Sequence, residues 1–120
     1  MAGFRPPERI RRRSEFQEVY SNGARTHGRL ATVFVRATGH EVGRLGIAAT
    51  KRLGGAVERN RAKRLIREVF RRNKVAPGFD VVLVPKRELL DASLTAIESE
   101  YRDIVQRSLR RAGKPQARTR

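Results

Sequence analysis

The stretch from Glu58 to Lys74, ERNRAKRLIREVFRRNK, limits the possible folds of this chain more than any other feature. At the helical angle of about 100° per residue, its apolar side chains fall on one side and most of its cations on the other. The apolar side has to pack on other apolar surface, while the opposite side is held outward. The apolar positions are Ala62, Leu65, Ile66, Val69 and Phe70, and the polar ones are Asn60, Lys63, Arg64, Arg67 and Arg71.

The segment around this helix carries more positive charge than it can neutralise by itself. Residues 51–74 hold ten Lys and Arg side chains but only two acidic ones, Glu58 and Glu68. Like charges one helical turn apart repel each other. Residues 75–112 are neutral in sum, so the formal charge of +16 is concentrated rather than spread evenly. A row of phosphates would relieve the repulsion, which predicts a nucleic-acid partner; a merely solvated surface is the alternative.

The composition excludes several classes of protein. A chain of 120 residues suits one domain with one core. The absence of cysteine excludes disulfides, thiol catalysis and cysteine-based zinc sites, and it fits a reducing, cytoplasmic location. The longest aliphatic run, Val81 to Val84, is far too short to cross a bilayer. We therefore expect no membrane partner.

Sequence patterns predict two further helices and three strands. Ser14 and Gln17 have the spacing of a capping box that would open the first helix. Thr38 to Glu41 predicts a turn, so the strands on either side of it should form an antiparallel hairpin. In chain order, the elements are a helix from Ser14 to Gly23, strands over 30–37 and 44–50, the long helix, a strand over 79–84, and a helix from Thr95, capped by Glu98, to Gly113.

This order, α-β-β-α-β-α, indicates an α+β sandwich with one small mixed sheet packed with helices. The predicted domain covers residues 14–112. Residues 1–13 are rich in Arg and Pro and are expected to form an extended or flexible basic arm. Residues 113–120 are expected to form a flexible basic tail.

Four residues have two or more possible roles. The aromatic side chains of Phe16, Tyr20 and Phe34 could belong to the core, or they could form a shallow platform on which bases stack. Asn60 could cap the long helix, bond to a neighbouring loop or contact RNA. The residue pattern leaves these alternatives open.

The titratable residues do not form a catalytic or metal-binding pattern. His27 and His40 are far apart and lack carboxylate partners, so we expect both at the surface, with contact between His27 and RNA as the lesser alternative. Glu15 and Glu18 lie on adjacent turns of the first helix without a nucleophile beside them. Asp80 is expected to cap an element or to pair with an arginine. The sequence therefore predicts no catalytic residue and no metal site.

Several of these residues occur together in one known family. The run AVERNRAKRLIRE over residues 56–68, with its glycine-containing approach, resembles the signature of the bacterial ribonuclease P protein component. In that family an Arg-Asn-Arg motif opens a long helix and Lys-Arg follows. The likeness extends over about residues 9–111. It includes Gly46-Ile47, Lys51, Gly54, the first-helix residues Phe16, Tyr20 and Gly23, and Asp80 before an apolar strand.

The resemblance implies an accessory subunit of ribonuclease P, the endoribonuclease that removes the 5′ leader of precursor tRNA. It implies that the RNA subunit is catalytic and requires Mg²⁺. It also implies that the protein binds no cofactor by itself and that one protein binds one RNA. It also implies a left-handed crossover between parallel strands, against the general preference for right-handed ones. The residues facing the catalytic RNA would be Lys51, Arg52, Arg59, Asn60, Arg61, Lys63, Arg64, Arg67 and Arg71, and the leader cleft would be formed by Phe16, Tyr20 and Phe34.

Two other functions would fit parts of the pattern. An autonomous metal-dependent nuclease would need clustered carboxylates, whereas the acidic residues here are scattered. A small ribosomal or nucleoid-binding protein would have the same kind of basic surface. It would differ in having no effect on RNA cleavage.

Overall fold

The computed structural model describes residues 6–112, and this part of the chain folds into an α+β sandwich. Short 3-10 turns lie at Pro6–Glu8, Lys51–Leu53 and Arg87–Asp91. The helices and strands are α1 (Arg13–Asn22), β1 (Ala24–His27), β2 (Ala31–Ala37), β3 (Arg44–Ile47), α2 (Ala56–Arg72), β4 (Phe79–Pro85) and α3 (Leu94–Ala112). The fold class predicted from the sequence is confirmed, with one additional strand, β1.

The strands form a mixed sheet in the order β1-β2-β4-β3. β2 is antiparallel to both β1 and β4, and β3 is parallel to β4. The predicted hairpin between the strands over 30–37 and 44–50 is therefore wrong, because β4 lies between them. The predicted turn bonds to the start of β4 instead: Thr38 N–H donates to the Gly78 carbonyl at 2.6 Å, and Gly78 N–H donates to the His40 carbonyl at 3.0 Å.

The two faces of the sheet are covered unequally. α2 and α3 pack on one face and bury the main core, which includes Val33, Leu83 and Phe70. α1 crosses the other face, where Val19 packs with Val82 in a smaller cluster. Because one helix is narrower than the sheet, part of this second face stays open. α2 connects the parallel strands β3 and β4, and the left hand of that crossover stays a prediction.

Both predicted capping boxes are wrong. α1 begins one residue earlier than predicted, and the Glu15 carboxylate accepts the backbone N–H groups of Arg11 and Arg12, each at 3.2 Å. α3 begins at Leu94, and the Ser93 hydroxyl accepts the Ala96 N–H at 3.1 Å. In each case the helix begins one residue earlier than predicted. The free N–H groups of its first turn therefore have acceptors other than the predicted ones. Glu98 instead accepts a hydrogen bond from Asn73 at 2.7 Å.

Residues 6–12, assigned from the sequence to a flexible arm, lie along the free edge of β3. Arg9 forms a parallel bridge with Leu45, and the buried Ile10 donates its N–H to the Leu45 carbonyl at 3.0 Å. The Glu8 carboxylate pairs with the Lys74 ammonium at 2.9 Å. These contacts protect an edge that would otherwise be open to another strand. The rest of the arm, residues 1–5, the tail over 113–120 and the predicted helix end at Gly113 lie outside the described residues.

A half-buried carboxylate holds the β1–β2 turn on α3. Glu100 accepts three backbone N–H groups of this turn, from Arg29 at 3.1 Å, Leu30 at 2.6 Å and Ala31 at 3.1 Å. Gly28 suits this turn, because a Cβ there would lie 2.9 Å from the backbone oxygen of Ala31 and 2.6 Å from the Glu100 carboxylate. One side chain of α3 therefore fixes the conformation of a turn about seventy residues earlier in the chain.

Replacing this carboxylate should destabilise the fold. Glu100→Ala leaves three N–H donors without their acceptor, and we expect a loss of about 2–3 kcal/mol in the free energy of unfolding. Urea denaturation measures it. Glu88→Ala removes the same charge at an exposed position, where we expect a change of less than about 0.5 kcal/mol. Equal effects of the two substitutions would contradict the role assigned to Glu100.

Candidate nucleic-acid interface

α2 is built so that its cations face outward. Its apolar side is buried at Ala62, Ile66, Val69 and Phe70, while Leu65 is half-buried, as the sequence period predicts. Two features define its beginning. Gly54 has a φ of 135°, a conformation that favours glycine. The Glu58 carboxylate accepts the Gly55 N–H at 2.9 Å, which satisfies one of the free donors of the first turn.

The predicted RNA-facing residues all lie on this helix or in the turn before it, and most are exposed. Arg59 is half-buried and donates to the Gly54 carbonyl at 3.2 Å. Arg67 donates to the Lys63 carbonyl at 3.3 Å, and Arg71 pairs with Glu68 at 2.9 Å. The others have no side-chain hydrogen bond or ion pair within residues 6–112: Lys51, Arg52, Asn60, Arg61, Lys63 and Arg64.

The position of Asn60 settles part of its role. It lies in the second turn of α2, so it is not the cap of this helix, and its exposed side chain bonds to no loop that the structure describes. Contact of Asn60 with RNA stays a prediction.

The three predicted cleft aromatics form one continuous set of rings, with Phe16 and Tyr20 on α1 and Phe34 on β2. The Phe16 and Tyr20 centroids are 6.4 Å apart, and Tyr20 meets Phe34 edge-on at 4.9 Å. All three are half-buried: they pack on the small cluster under α1 and keep one side open to solvent. Gly46 makes room for them, because a Cβ there would lie 2.8 Å from the Phe16 ring. They are therefore both packed and accessible, as a stacking platform requires.

An open groove of about 370 Å³ lies between two of these rings, Phe16 and Tyr20, and the cationic helix; Phe34 does not line the groove but contacts Tyr20 behind it. Phe16 and Tyr20 line its aromatic wall, and cations from two directions surround it: Arg11 and Arg13 from the start of α1, and Lys63 from α2. Sequence reasoning missed the two arginines because it placed them in a flexible arm. The signal was the run of three arginines directly before a helix.

An ion-pair network attaches α1 to the sheet and so sets the position of the groove. The Arg44 guanidinium binds the fully buried Asp80 through two hydrogen bonds of 2.9 and 2.7 Å. It also donates to Glu15 on α1 at 3.1 Å. These contacts confirm that Asp80 pairs with an arginine. The hydrogen bond with Asp80 is the main reason why the pKa of Arg44 is raised, and its guanidinium stays charged.

The network should weaken in acid. Burial acts to raise the pKa of Glu15, but the backbone N–H groups of Arg12 and Arg11 and the Arg44 guanidinium outweigh it, so the pKa lies below the ordinary 4.5. A carboxyl group with a lowered pKa stabilises the fold above its unfolded-state pKa, and this contribution is lost as the pH falls through the folded-state value. Stability should therefore fall below about pH 4.5.

Glu15→Gln tests this expectation. The variant should lose less unfolding free energy between pH 5 and pH 3 than the parent chain does, as measured by urea denaturation at each pH. Glu18→Gln is the matched control, because Glu18 is largely exposed and pairs with Arg36 at 3.2 Å. A pH profile that is unchanged by Glu15→Gln would contradict the assigned role.

The described residues offer no assembled metal-binding group. Within residues 6–112, no cluster of three or more His, Asp or Glu side chains could hold a metal ion. His27 and His40 are both exposed, as predicted. Glu15 and Glu18 pair with arginines of the sheet. The same residues contain no helix that is long and apolar enough to cross a membrane.

Fold and surface together define a small basic α+β protein whose cationic helix adjoins an aromatic groove at one edge of a mixed sheet. Comparison with known proteins gives the same class. The Ribonuclease P family model matches residues 4–109. The ribonuclease P protein component of Thermotoga maritima is 38% identical over 88 residues, covering 72% of this chain and 75% of that protein. That of Clostridioides difficile is 29% identical over 108 residues, covering 88% and 95%.

Solved structures of similar proteins indicate the same class. The RNase P protein from Thermotoga maritima has a TM-score of 0.74 at 31% identity, covering 83% of this chain and 96% of that one. The RNase P protein of Staphylococcus aureus has a TM-score of 0.72 at 29% identity, covering 82% and 93%. The chain therefore belongs to the bacterial ribonuclease P protein family. Members are components of the ribonuclease P holoenzyme, an endoribonuclease of tRNA processing, and their partner is the RNase P RNA.

Proposed function

We propose that this chain binds the RNase P RNA through the outward side of α2 and binds the single-stranded 5′ leader of precursor tRNA in the groove beside α1. In this proposal the RNA subunit holds the Mg²⁺ and cuts the phosphodiester bond. One protein serves one RNA, and the complex acts in the cytoplasm. The observation that carries the proposal is the continuity between the cationic helix and the aromatic groove, joined at Lys63.

The unpaired cations of α2 support the first half of the proposal. Arg61 and Arg64 are three residues apart, and their guanidinium groups have no acceptor within residues 6–112. A guanidinium donates two parallel hydrogen bonds to a phosphate, so two such groups on a rigid helix present a fixed pair of phosphate contacts. Repulsion between them falls when an anionic backbone binds.

The rings support the second half. Stacking of a base on an aromatic side chain stabilises a single-stranded complex by about 1–3 kcal/mol and tolerates any base. A leader of varying sequence needs that tolerance. The cations around the groove, Arg11, Arg13 and Lys63, lie where the phosphates of stacked nucleotides would pass. Rings and cations in one open groove suit single-stranded RNA better than a duplex, whose bases are already stacked.

Reconstitution tests the proposal as a whole. The chain is mixed with a bacterial RNase P RNA, and cleavage of precursor tRNA is measured at low Mg²⁺ with RNA alone, protein alone and both. We expect cleavage to increase only when both are present. Cleavage by the protein alone would favour the autonomous nuclease. No effect of the protein on the RNA would favour a ribosomal or nucleoid-binding protein.

The rings should distinguish precursor from mature tRNA. We expect Phe16→Ala with Phe34→Ala to weaken holoenzyme binding of precursor tRNA by at least about tenfold, since base stacking is lost, and to leave mature tRNA almost unchanged. Fluorescence titration of both substrates measures the ratio. Phe79→Leu is the control, because Phe79 is buried in the main core, whereas Phe16 and Phe34 pack on the small cluster under α1. Equal losses for precursor and mature tRNA would mean that the rings serve only as core.

A further inference from the structure

A row of side chains crosses the whole sheet next to α1. His27 of β1 is the cross-strand partner of Thr32 of β2, and Thr32 is the partner of Val84 of β4. Ala48 continues the row beyond β3, since its N–H donates to the Leu83 carbonyl at 2.9 Å. Cross-strand partners share a face, so the row lies on the α1 side of the sheet. Three of its members are half-buried and His27 is exposed.

This row continues the groove described above. Ala48 lines the groove together with Phe16 and Tyr20, and Val84 packs in the same small cluster as these rings. α1 packs on the neighbouring row, where Val19 packs with Val82 and the Phe16 ring lies against Gly46, so this row stays partly exposed. With strands about 4.8 Å apart, the row is about 14 Å long, the length of about four stacked nucleotides at 3.4 Å each.

The two ends of the row differ in chemistry. At the β3 end it meets the cations that surround the groove, and its middle is apolar. At the β1 end it is polar, because His27 Nδ1 and Thr32 Oγ1 are hydrogen-bonded at 3.2 Å. Arg25 lies two residues before His27 on the same face, where it is the cross-strand partner of Phe34. Its guanidinium has no partner among the residues that the structure describes.

The bonded pair presents one donor and one acceptor whichever tautomer the neutral imidazole adopts. If the Thr32 hydroxyl donates to Nδ1, then Nε2–H is the outward donor and Oγ1 accepts. If Nδ1–H donates to Oγ1, then Nε2 accepts and the hydroxyl donates outward. Every base has a hydrogen-bond donor next to an acceptor on its pairing edge. An unstacked base in single-stranded RNA exposes this edge.

We propose that the leader crosses the sheet along this row and that the His27–Thr32 pair hydrogen-bonds the edge of one leader base at the β1 end, with Arg25 on a nearby phosphate. The inference rests on the proposed function and adds a base-contacting position to it. The occupant is single-stranded RNA because a flat apolar middle between two cationic ends suits stacked bases on a phosphate backbone. The His27–Thr32 pair selects a position in the leader, and it accepts any of the four bases at that position.

Abasic scanning of the leader in the reconstituted holoenzyme tests this inference. Thr32→Val keeps the shape of the side chain and removes the hydroxyl, and His27→Ala removes the ring. We expect each to weaken an intact precursor by about three- to tenfold, as for one lost hydrogen bond. Removing one particular leader base should abolish both effects, and it should be the same base for both variants. Thr26→Val is the control, since Thr26 is buried on the opposite side of β1.

The outcomes separate this inference from the proposed function. If Phe16→Ala weakens precursor binding while Thr32→Val has no effect, or has the same effect at every abasic position, the base contact is wrong and the leader groove stands. If Phe16→Ala also leaves precursor binding unchanged, the leader groove itself is wrong. A loss confined to one leader nucleotide for both variants supports the inference.

Discussion

Affinity for the RNase P RNA should fall by about 10³–10⁵ between 50 and 200 mM monovalent salt. The expected loss follows from about 6–10 phosphate contacts, each of which releases a counterion when it forms. Eight of the nine residues assigned to this surface are cations, which is within that range. Filter binding across a salt series measures the slope of log affinity against log salt concentration.

Matched variants make this test specific to α2. Arg64→Gln removes an exposed cation without a partner in the described residues, and it should reduce the salt slope by about one. Arg107→Gln removes the same charge from α3, where Arg107 pairs with Asp103 at 3.1 Å, and it should leave the slope nearly unchanged. A shallow slope for the parent chain, or equal changes for the two variants, would show that net charge rather than the α2 surface governs binding.

The long helix could be predicted from the sequence because its information is local. A period of 3.6 residues in an unbroken 17-residue helix identifies both of its sides, and the structure buries the predicted apolar positions. β4 was predictable for a similar reason, since an apolar run indicates a strand covered on both faces. Which strands pair with β4 was not predictable, because strand pairing depends on contacts between distant segments.

β1 was missed because it carries almost no pattern. Its four residues, ARTH, include one buried side chain, Thr26. The strand is held by pairing with β2 and by the turn that Glu100 fixes from α3. Neither contact leaves a signal within a short window of sequence. The same omission led to the wrong hairpin, since the strand that pairs with β2 in a hairpin precedes it rather than follows it.

Most residues of the candidate site could be predicted from the sequence, but the groove that they form could not. The cations of α2 and the three aromatics stand at positions that periodicity and family resemblance identify. The groove between them depends on how α1 lies on the sheet, and that orientation is set by Arg44, Asp80 and Glu15, which are distant in sequence. Arg11 and Arg13 become groove residues only because Ile10 anchors the chain before α1 on the edge of β3.

The pair that the half-buried Arg44 forms with the buried Asp80 should be the largest single contribution to stability in this part of the molecule. Arg44→Met leaves the Asp80 carboxylate buried without its partner, and such losses cost about 3–5 kcal/mol. We expect the melting temperature to fall by roughly 10–20 °C. Arg36→Met is the matched control: Arg36 lies on β2, on the other side of β4 from Arg44, and pairs with the exposed Glu18, a contact worth at most about 1 kcal/mol.

A second variant separates the charge effect from loss of side-chain volume. Arg44→Met combined with Asp80→Leu replaces the pair with apolar groups, and we expect it to recover most of the lost stability, because no buried charge remains. The double variant still lacks the bond from Arg44 to Glu15 that attaches α1 to the sheet. Its leader affinity should therefore stay below that of the parent chain even when its melting temperature is restored. Full recovery of both properties would mean that Arg44 acts through stability alone and does not position the groove.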